Sequence, residues 1–544
     1  MDVFSILLFA IREKNSIFVQ KYHFCMVKTK YPIGVQNFES LRNEGYLYID
    51  KTAIIQQLVE DGRYYFLSRP RRFGKSLLMS TLQAYFEGKR GLFKGLAIDT
   101  DEMDWEPRPV LKFDLNAEEY KSRESLATVL IRQMEPYEKR YEVDKIQPTL
   151  SGRFESLIKF AHETTGRTVA ILVDEYDKPM LQAMENPDLQ VEYRSMLKAF
   201  YGVMKSSDEH IKFALLTGVT KFSKVSVFSD LNNIEDISFI DDYATLCGIT
   251  EQEMRENLNE EITELAQKNK LTVEECYDKL RKWYDGYHFS SDLSLPGMYN
   301  PFSLINTLKN KTFKDYWFAT GTPTFLVSTL KKTNYPLDEL AKNPPVTEDL
   351  LGELDSIAKN PLPLLFQSGY LTIKSYDETF ASYTMGFPNY EVEFGFAKHL
   401  VETYNNQENS KSPFYVQGFV MDIQAGRTEQ WLERLNAFLA DGDYQIAGNE
   451  ELYFQNVMSV IFKMLGFYVQ TERHTSNGRM DIVMQTADYV YIIELKLDGS
   501  AKEALQQIED KLYAAPFAMD ERTIVKIGAN FSSKTRRLEE WLIG

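Results

Sequence analysis

The spacing of apolar residues divides the chain into a first part of alternating strands and helices, a helical middle and a mixed C-terminal part. Four short apolar runs, at 63–68, 110–114, 168–173 and 211–217, predict strands. The stretches at 76–86, 125–137 and 153–163 between them predict helices. Because strands here alternate with helices, we expect a parallel sheet with helices on both faces.

The pattern changes after about residue 240. Residues 250–268 and 273–284 are charged and amphipathic, which predicts a helical region. Residues 365–373 predict a strand that follows a helix, and residues 380–385 predict the next strand, so that a helix and this hairpin would form a winged-helix-like module. Residues 386–392 lead into another helix, and residues 417–441 predict a further one.

The C-terminal part contains both helix-type and strand-type patterns of apolar residues. Its pattern predicts, in order, a helix at 450–465, a strand at 468–473, a hairpin at 480–497, a helix at 501–513, a strand at 523–528 and a helix at 535–542. The chain is therefore expected to be an α/β multidomain protein. We place its parts at 1–30 (an N-terminal extension), 31–240, 241–345, 346–446 and 447–544.

Composition narrows the class of protein. A net charge of −17 argues against a wholly basic nucleic-acid-binding protein. Three widely spaced cysteines predict neither a disulfide framework nor a zinc site, which favours a reduced, cytoplasmic setting. The apolar run at 4–10 is too short to cross a bilayer, so we predict no membrane association.

Residues 74–76 have the chemistry of a phosphate-binding loop. Gly74, Lys75 and Ser76 follow a predicted strand and precede a predicted helix, which is the context that the motif requires. Backbone N–H groups would surround phosphates, the lysine would reach the β- and γ-phosphates, and the hydroxyl would bind Mg²⁺.

The residues before this motif are unusually bulky. Arg69 stands where the motif normally has its first glycine, and Arg71 and Arg72 follow in the spacer. We predict that these arginines and Leu77 belong to the nucleotide site, the arginines by pairing with phosphate. The same residues are compatible with weak or altered nucleotide use, or with a basic turn before a buried helix.

Acidic residues follow the third predicted strand. Asp174 and Glu175 end a continuous apolar run, so they should project at the carboxyl edge of the sheet, where ligands of parallel sheets bind. Asp174 is expected to hold Mg²⁺ through water and Glu175 to polarise the attacking water. Thr217, at the end of the fourth strand, is a candidate sensor of the γ-phosphate.

A second candidate site lies in the C-terminal hairpin. With a two-residue turn at 487–488, Asp481 and Glu494 fall opposite each other in the antiparallel pair, and Lys496 faces the same side. Two carboxylates beside a lysine suit a Mg²⁺-dependent phosphodiesterase. The alternative is a surface hairpin with charged ends.

Neighbouring helices offer further candidates for this second site. Glu450 or Glu451, with Glu451 preferred, could add a metal ligand from the preceding helix. Gln507 and Tyr513, on the helix that follows the hairpin, could contact a nucleic-acid backbone or Lys496.

Several segments together resemble a known family. They are YPIG at 31–34, YIDK at 48–51, FLSRPRRFGKS at 66–76, VDEYD at 173–177, TGVT at 217–220, LNN at 231–233, WYDGY at 283–287, YNP at 299–301 and IELK at 493–496. With them, the chain resembles the bacterial AAA-ATPase-like proteins that carry a C-terminal PD-(D/E)XK nuclease-superfamily domain. The resemblance implies a P-loop ATPase core at 31–240, a helical lid at 241–345, a winged-helix-like and linker region at 346–446, and a restriction-endonuclease-like domain at 447–544.

Two functions follow from these predictions. The first is an ATP-regulated, Mg²⁺-dependent enzyme acting on nucleic acid, with DNA favoured over RNA, in defence or mobile-element control. The second is a nucleotide-gated interaction protein whose nuclease-like domain is inactive. P-loop ATPases of this type often form rings, so we keep a homo-oligomer as one arrangement.

Overall fold

The structure is a computed structural model. It describes residues 29–221, 231–320, 344–347, 360–404, 412–440 and 470–544, without 117, 118, 145, 185, 232, 477, 478 and 536, and also Leu330, Tyr335, Leu351, Ile461, Lys463 and Gly466. At residues 401–404, 412–416, 440, 470–476 and 479–481 it describes the backbone alone. Residues 1–28 of the extension predicted at 1–30, and residues 450–460 of the helix predicted at 450–465, lie outside the described residues.

The first part of the chain forms a five-stranded parallel sheet. Its strands are β1 (Tyr64–Ser68), β2 (Val110–Asp114), β3 (Val169–Asp174), β4 (Ile211–Gly218) and β5 (Glu235–Asp236), in the order β2-β3-β4-β1-β5. Every residue of β3 is buried, as expected for a strand covered on both faces. The predicted parallel sheet is confirmed.

Seven helices accompany this sheet in the described part of the chain. They are α1 (Phe38–Asn43), α2 (Thr52–Asp61), α3 (Lys75–Phe86), α4 (Arg123–Arg140), α5 (Leu150–Thr165), α6 (Lys178–Gln182) and α7 (Pro187–Ser206). Six residues separate the end of β1 from the start of helix α3, so the N-terminus of α3 lies at the carboxyl edge of the sheet. This edge is where the candidate nucleotide residues meet.

A small helical cluster follows. Its helices are α8 (Glu251–Asn257), α9 (Asn259–Asn269), α10 (Val273–Tyr284) and α11 (Pro301–Asn310), and they share their own apolar core. The single helix predicted at 250–268 is two helices. The break falls at Leu258, whose side chain is buried in that core.

The next module has the predicted order of a helix and then a hairpin, but residues 365–367, predicted as the start of a strand, belong to the helix. Helix α12 (Leu362–Gln367) precedes strands β7 (Thr372–Asp377) and β8 (Ser382–Gly386), and a short strand β6 (Pro345–Thr347) pairs with β8. Helix α13 (Tyr390–Tyr404) follows the hairpin. The three strands form a separate antiparallel sheet.

The C-terminal part is a mixed five-stranded sheet preceded by two helices. The helices are α14 (Ser412–Gln424) and α15 (Thr428–Ala440), and the strands are β9 (Gln470–Ser476), β10 (Arg479–Gln485), β11 (Tyr489–Leu497), β12 (Thr523–Ser532) and β13 (Arg537–Ile543), in the order β13-β12-β11-β10-β9. Strands β11 and β12 are parallel, and the other pairs are antiparallel. Helix α16 (Ala501–Asp510) packs on β11 and β12.

One sequence prediction is wrong in this part. The helix expected at 535–542 is strand β13, although Leu538, Trp541 and Leu542 have helical spacing. The backbone of β12 needs partners on its outer side, and β13 supplies them over six pairs. Tertiary pairing therefore overrides the local pattern.

Helices α14 and α15 are fastened to this sheet by polar contacts. The Asn436 side-chain nitrogen donates to the Leu538 carbonyl oxygen at 3.1 Å, and the Leu538 backbone nitrogen donates to Asn436 Oδ1 at 3.0 Å. The Asn436 side chain thus pairs with the Leu538 backbone as a neighbouring strand would. The Tyr491 hydroxyl donates to the Ile423 carbonyl at 2.6 Å. The helical pair is thus fixed against the sheet and covers part of its edge. Within the described ranges, no helix has the length and apolar character needed to cross a membrane.

The substitution Asn436→Ala should weaken the C-terminal part of the molecule. It removes two hydrogen bonds and leaves both Leu538 backbone groups without this partner, so we expect a loss of about 2 kcal/mol in the free energy of unfolding. Urea unfolding followed by Trp fluorescence measures it. Glu433→Ala, an exposed change on the same helix, serves as the control and should stay within about 0.5 kcal/mol. Equal effects of the two substitutions would contradict the assigned role of Asn436.

Candidate functional site

The loop between β1 and α3 bends sharply at two residues. Gly74 has φ 97° and precedes the first residue of α3, and Arg72 has φ 68°. No atom lies within 4 Å of a Cβ built at Gly74, so glycine is favoured there by the backbone angle rather than by space. The resulting turn brings the N-terminal N–H groups of α3 to the carboxyl edge of the sheet, where an anion is favoured.

A cavity of about 350 Å³ opens at this edge. The structure brings eight of the predicted site residues to its wall: Arg71, Arg72, Gly74, Lys75, Ser76, Leu77, Asp174 and Glu175. Residues 32–36 and the start of α11 line its other sides. The cavity therefore joins the loop, the end of β3, the segment before α1 and the helical cluster.

The ammonium group of Lys75 is nearly buried at the base of this loop. The side chain is 4% exposed, and its Nζ donates to the backbone oxygens of Arg69 (2.9 Å) and Pro70 (3.2 Å). Neither acceptor carries a formal charge. These contacts hold the ammonium in place while leaving its positive charge to attract an anion.

The two acidic residues after β3 have different surroundings. Asp174 is buried, and its Oδ1 accepts from Thr217 Oγ1 (2.7 Å) and from the Glu175 nitrogen (3.1 Å). Glu175 has φ 54°, a left-handed conformation that is uncommon outside glycine. Backbone strain of this kind is typical of residues held in place for a function. Thr217 donates to Asp174 and is not among the residues that line the cavity, and its predicted role as a sensor of the γ-phosphate stays a prediction.

Arg69 does not reach the cavity either. Its side chain is 1% exposed, and its guanidinium donates to the backbone oxygens of Ser68, Ser238 and Tyr243 at 2.8–3.0 Å. It also lies 4.2 Å from the centre of the Phe289 ring. Burial lowers the pKa of Arg69 to about 10. Arg69 therefore ties the loop to the segment after β5, a role that its place in the sequence does not reveal.

The other bulky loop residues pack against the modules that follow. The Phe73 ring meets the rings of Tyr287 (4.8 Å) and Phe289 (5.5 Å) edge-on. The Arg72 guanidinium lies 5.1 Å from the Phe302 ring. The WYDGY segment at 283–287 is thus part of the aromatic wall behind the loop.

Trp317 gives the loop a polar contact with the middle of the chain. Its indole nitrogen donates to the Arg71 carbonyl at 3.1 Å. Gly369 allows Pro70 to pack close by, since a Cβ at Gly369 would lie 2.6 Å from the Pro70 Cβ. Sequence reasoning missed Trp317 because more than 240 residues separate it from the loop.

Glu391 is a buried carboxyl group next to Trp317. Its Oε1 accepts from Ser303 Oγ (2.9 Å) and from the Trp317 nitrogen (2.7 Å), and the side chain is 1% exposed. Burial raises the pKa of Glu391 to about 8. Glu391 is the second residue of α13, so it links this helix to α11 and to the segment that contacts the loop.

The second candidate site lies on the C-terminal sheet. Asp481 and Glu494 are register partners on β10 and β11, as the hairpin spacing predicts. Glu494 is fully buried, and its Oε1 accepts from Lys496 Nζ at 2.7 Å. Lys496 also donates to Gln507 Oε1 at 2.5 Å, so the predicted contact between this glutamine and the lysine is present. The Asp481 side chain and the whole of Glu451 lie outside what the structure describes.

The comparisons with known proteins agree with this geometry. A family model described as a predicted AAA-ATPase matches residues 32–228, and a model of the PD-(D/E)XK nuclease superfamily matches residues 449–541. The chain is also similar to an uncharacterized protein in the vnfD 5′ region of Azotobacter chroococcum mcd 1. The two are 35% identical over 530 residues, which cover 95% of this chain and 99% of the relative.

The buried Glu391 should make the stability of the protein depend on pH. Its folded-state pKa of about 8 lies above the ordinary value of 4.5, so its stabilising effect is complete below 4.5 and is lost as the pH rises through 8. We expect Glu391→Gln to remove a slope of up to about 1.4 kcal/mol per pH unit between pH 5 and 8. Urea unfolding at several pH values measures it, with the exposed Glu260→Gln as the control. An unchanged slope in Glu391→Gln would contradict the assignment.

Proposed function

Because this chain belongs to the family of AAA-ATPase-like proteins with a C-terminal PD-(D/E)XK nuclease-superfamily domain, we propose that it hydrolyses ATP and uses the nucleotide to control a Mg²⁺-dependent nuclease. One observation supports the proposal above all: a single cavity gathers Lys75, Ser76, Asp174 and Glu175. These are the ammonium, hydroxyl and carboxylate groups that phosphoryl transfer requires.

In the proposed ATPase reaction, each of these residues has one task. The N–H groups of residues 74–77 and the Lys75 ammonium bind the β- and γ-phosphates. Ser76 and Asp174 offer the oxygen atoms that hold Mg²⁺, which neutralises phosphate charge when it is bound. Glu175 orients the attacking water and accepts its proton. Arg71 and Arg72 line the cavity and are suited to pair with phosphate oxygens.

We place the nucleotide base beside Leu77. A second cavity of about 100 Å³ adjoins the first one there and shares Gly74, Leu77 and Ile305 with it. Its wall is mainly apolar and includes Ile49 and Ile249. A flat aromatic base is suited to an apolar slot of this kind.

In the proposed nuclease site, Asp481 and Glu494 hold the metal ion, with Glu451 as a third candidate ligand. Carboxylate oxygens from adjacent strands are ligands that Mg²⁺ favours, so the residues present fit this ion. Lys496 orients the attacking water or stabilises charge on the scissile phosphate, and Gln507 fixes the Lys496 ammonium. The substrate is nucleic acid, with DNA favoured over RNA.

The proposed control runs through contacts that start at the phosphate-binding loop. The Trp317 indole donates a hydrogen bond to the loop at the Arg71 carbonyl. The Trp317 backbone nitrogen donates to Glu391, which lies at the start of α13. Helix α13 packs on α14, and the pair α14–α15 is fastened to the nuclease sheet. ATP can shift the nuclease domain by this route only if its affinity differs between two arrangements of these modules.

The alternative is a nucleotide-gated interaction protein with an inactive nuclease-like domain. Two observations favour it: Lys496 already has acidic and amide partners, and the net charge is −17. The division at 31–240, 241–345, 346–446 and 447–544, the cytoplasmic setting and a homo-oligomer stay predictions.

Cleavage should depend on Glu494 and Lys496. We expect Glu494→Ala and Lys496→Ala each to reduce cleavage at least about 100-fold, because the first removes a metal ligand and the second removes the group that orients water or stabilises charge on the scissile phosphate. The assay incubates the full chain with Mg²⁺ or Mn²⁺, ATP and a panel of single- and double-stranded DNA and RNA. The control Lys502→Ala changes an exposed lysine on α16. A parent protein that cuts nothing on the panel, yet binds ATP, would favour the interaction protein instead.

Coupling between the sites should depend on the Trp317 indole nitrogen. Trp317→Phe keeps an aromatic ring but removes the hydrogen bond to the Arg71 carbonyl. We expect it to retain ATP binding and to reduce the stimulation of cleavage by ATP at least about fivefold, which corresponds to roughly 1 kcal/mol of coupling. Lys75→Ala, which should abolish ATP binding itself, gives the fully uncoupled level. Normal ATP stimulation in Trp317→Phe would exclude this route.

A further inference from the structure

The loop after β3 and the loop after β4 are interlocked through Asp177. This residue is fully buried, and its Oδ2 accepts three hydrogen bonds. They come from the Val219 nitrogen (3.1 Å), the Thr220 nitrogen (2.7 Å) and the Thr220 hydroxyl (2.6 Å). One carboxylate oxygen therefore fixes both the backbone and the side chain of Thr220.

Tyr176 and Gly218 complete the interlock. The Tyr176 hydroxyl donates to the Thr220 carbonyl at 2.9 Å, and its backbone nitrogen donates to the Thr217 carbonyl at 3.0 Å. A Cβ at Gly218 would lie 2.7 Å from both the Tyr176 ring and Asp177 Oδ1. The close approach of the two loops consequently requires glycine at this position.

The interlocked loops border the nucleotide cavity from two directions. Glu175, on the first loop, lines the cavity together with Val219 and Thr220 on the second. The next residue along, Lys221, donates its backbone nitrogen to Gln367 Oε1 on α12 at 2.9 Å. The second loop is thus held on one side by Asp177 and on the other by the winged-helix-like module.

Burial of the Asp177 carboxylate is unfavourable in free energy. Its Oδ1 has no hydrogen-bond partner among the described residues. Burial, and then the charge of nearby Glu175, raise the pKa of Asp177 to about 6. A buried group of this kind beside a candidate active site is typical of a functional role, since packing alone would be served by a less polar side chain.

We infer that Asp177 is a positioning residue for ATP hydrolysis: through Thr220 it holds the loop after β4 at a fixed distance from Glu175. The γ-phosphate and the water that Glu175 orients then meet in one geometry. This inference rests on the proposed ATPase function. It concerns the rate of turnover rather than the affinity for nucleotide, because neither Asp177 nor Tyr176 lines the cavity.

The test compares three substitutions in the full chain by steady-state ATPase kinetics. Asp177→Ala removes all three hydrogen bonds to Oδ2, and we expect it to lower kcat about 100-fold with the KM for ATP changed less than about threefold. Asp177→Asn keeps one acceptor oxygen for the same donors, so it should recover kcat to within about fivefold of the parent. Asp188→Ala, an exposed change at the start of α7, is the matched control. Thermal unfolding checks that each variant is folded.

The possible results distinguish a failure of this inference from a failure of the proposed ATPase function. A kcat of Asp177→Ala within about threefold of the parent overturns the inference and leaves the ATPase proposal intact. Asp177→Asn as slow as Asp177→Ala also overturns it, because charge and not hydrogen bonding would then be the contribution of Asp177. If Asp177→Ala unfolds, Asp177→Asn is compared with Thr220→Val, which loses only the hydrogen bond from the Thr220 hydroxyl. We expect Thr220→Val to lower kcat about tenfold. An unchanged kcat in Thr220→Val overturns the inference. A parent protein without turnover, tested beside Glu175→Gln, rejects the ATPase proposal and the inference together.

Discussion

The phosphate-binding loop must hold its backbone N–H groups in fixed directions, and in this protein side-chain packing supplies much of that constraint. Glycine is kept only at Gly74, where the backbone angle requires it. The side chains of residues 69, 70, 72 and 73 and the carbonyl of Arg71 instead contact the segment after β5, the helical cluster, Trp317 or the end of α12. The shape of the loop therefore depends on modules that lie far along the chain. A movement of those modules would therefore change the shape of the loop at the point where phosphate would bind.

Buried carboxyl groups are concentrated in the same region. Burial is the largest cause of the raised pKa of Asp177 (about 6) and of Glu391 (about 8). Asp177 accepts a hydrogen bond from Thr220 and Glu391 accepts one from the Trp317 nitrogen, and both of these partners line the cavity. Such groups reduce stability at neutral pH, so their presence around one cavity favours a functional over a purely structural explanation.

The two candidate sites have different local designs. At the N-terminal site, charged groups from separate elements meet at the edge of a parallel sheet. At the C-terminal site, hairpin register brings Asp481 and Glu494 opposite each other, and the packing of α16 on the sheet adds Gln507. The pair α14–α15 connects the two regions by bonding the nuclease sheet at Leu538 and Tyr491. This contiguous packing gives a physical route for coupling, although coupling also requires two arrangements of different nucleotide affinity.

The sequence by itself determined the elements and residues whose relations are local. The parallel strands, the loop at residues 74–76, the acidic end of β3 and the pairing of Asp481 with Glu494 follow from apolar runs and from hairpin spacing. Tertiary structure decided the rest. Arg69 points into the interior, Thr217 supports Asp174, and residues 537–543 form a strand because the open edge of β12 needs partners. Trp317 reaches the loop, and Glu391 reaches Trp317, across long stretches of chain. Contacts between residues so far apart depend on how whole modules pack, and no local pattern of residues encodes that packing.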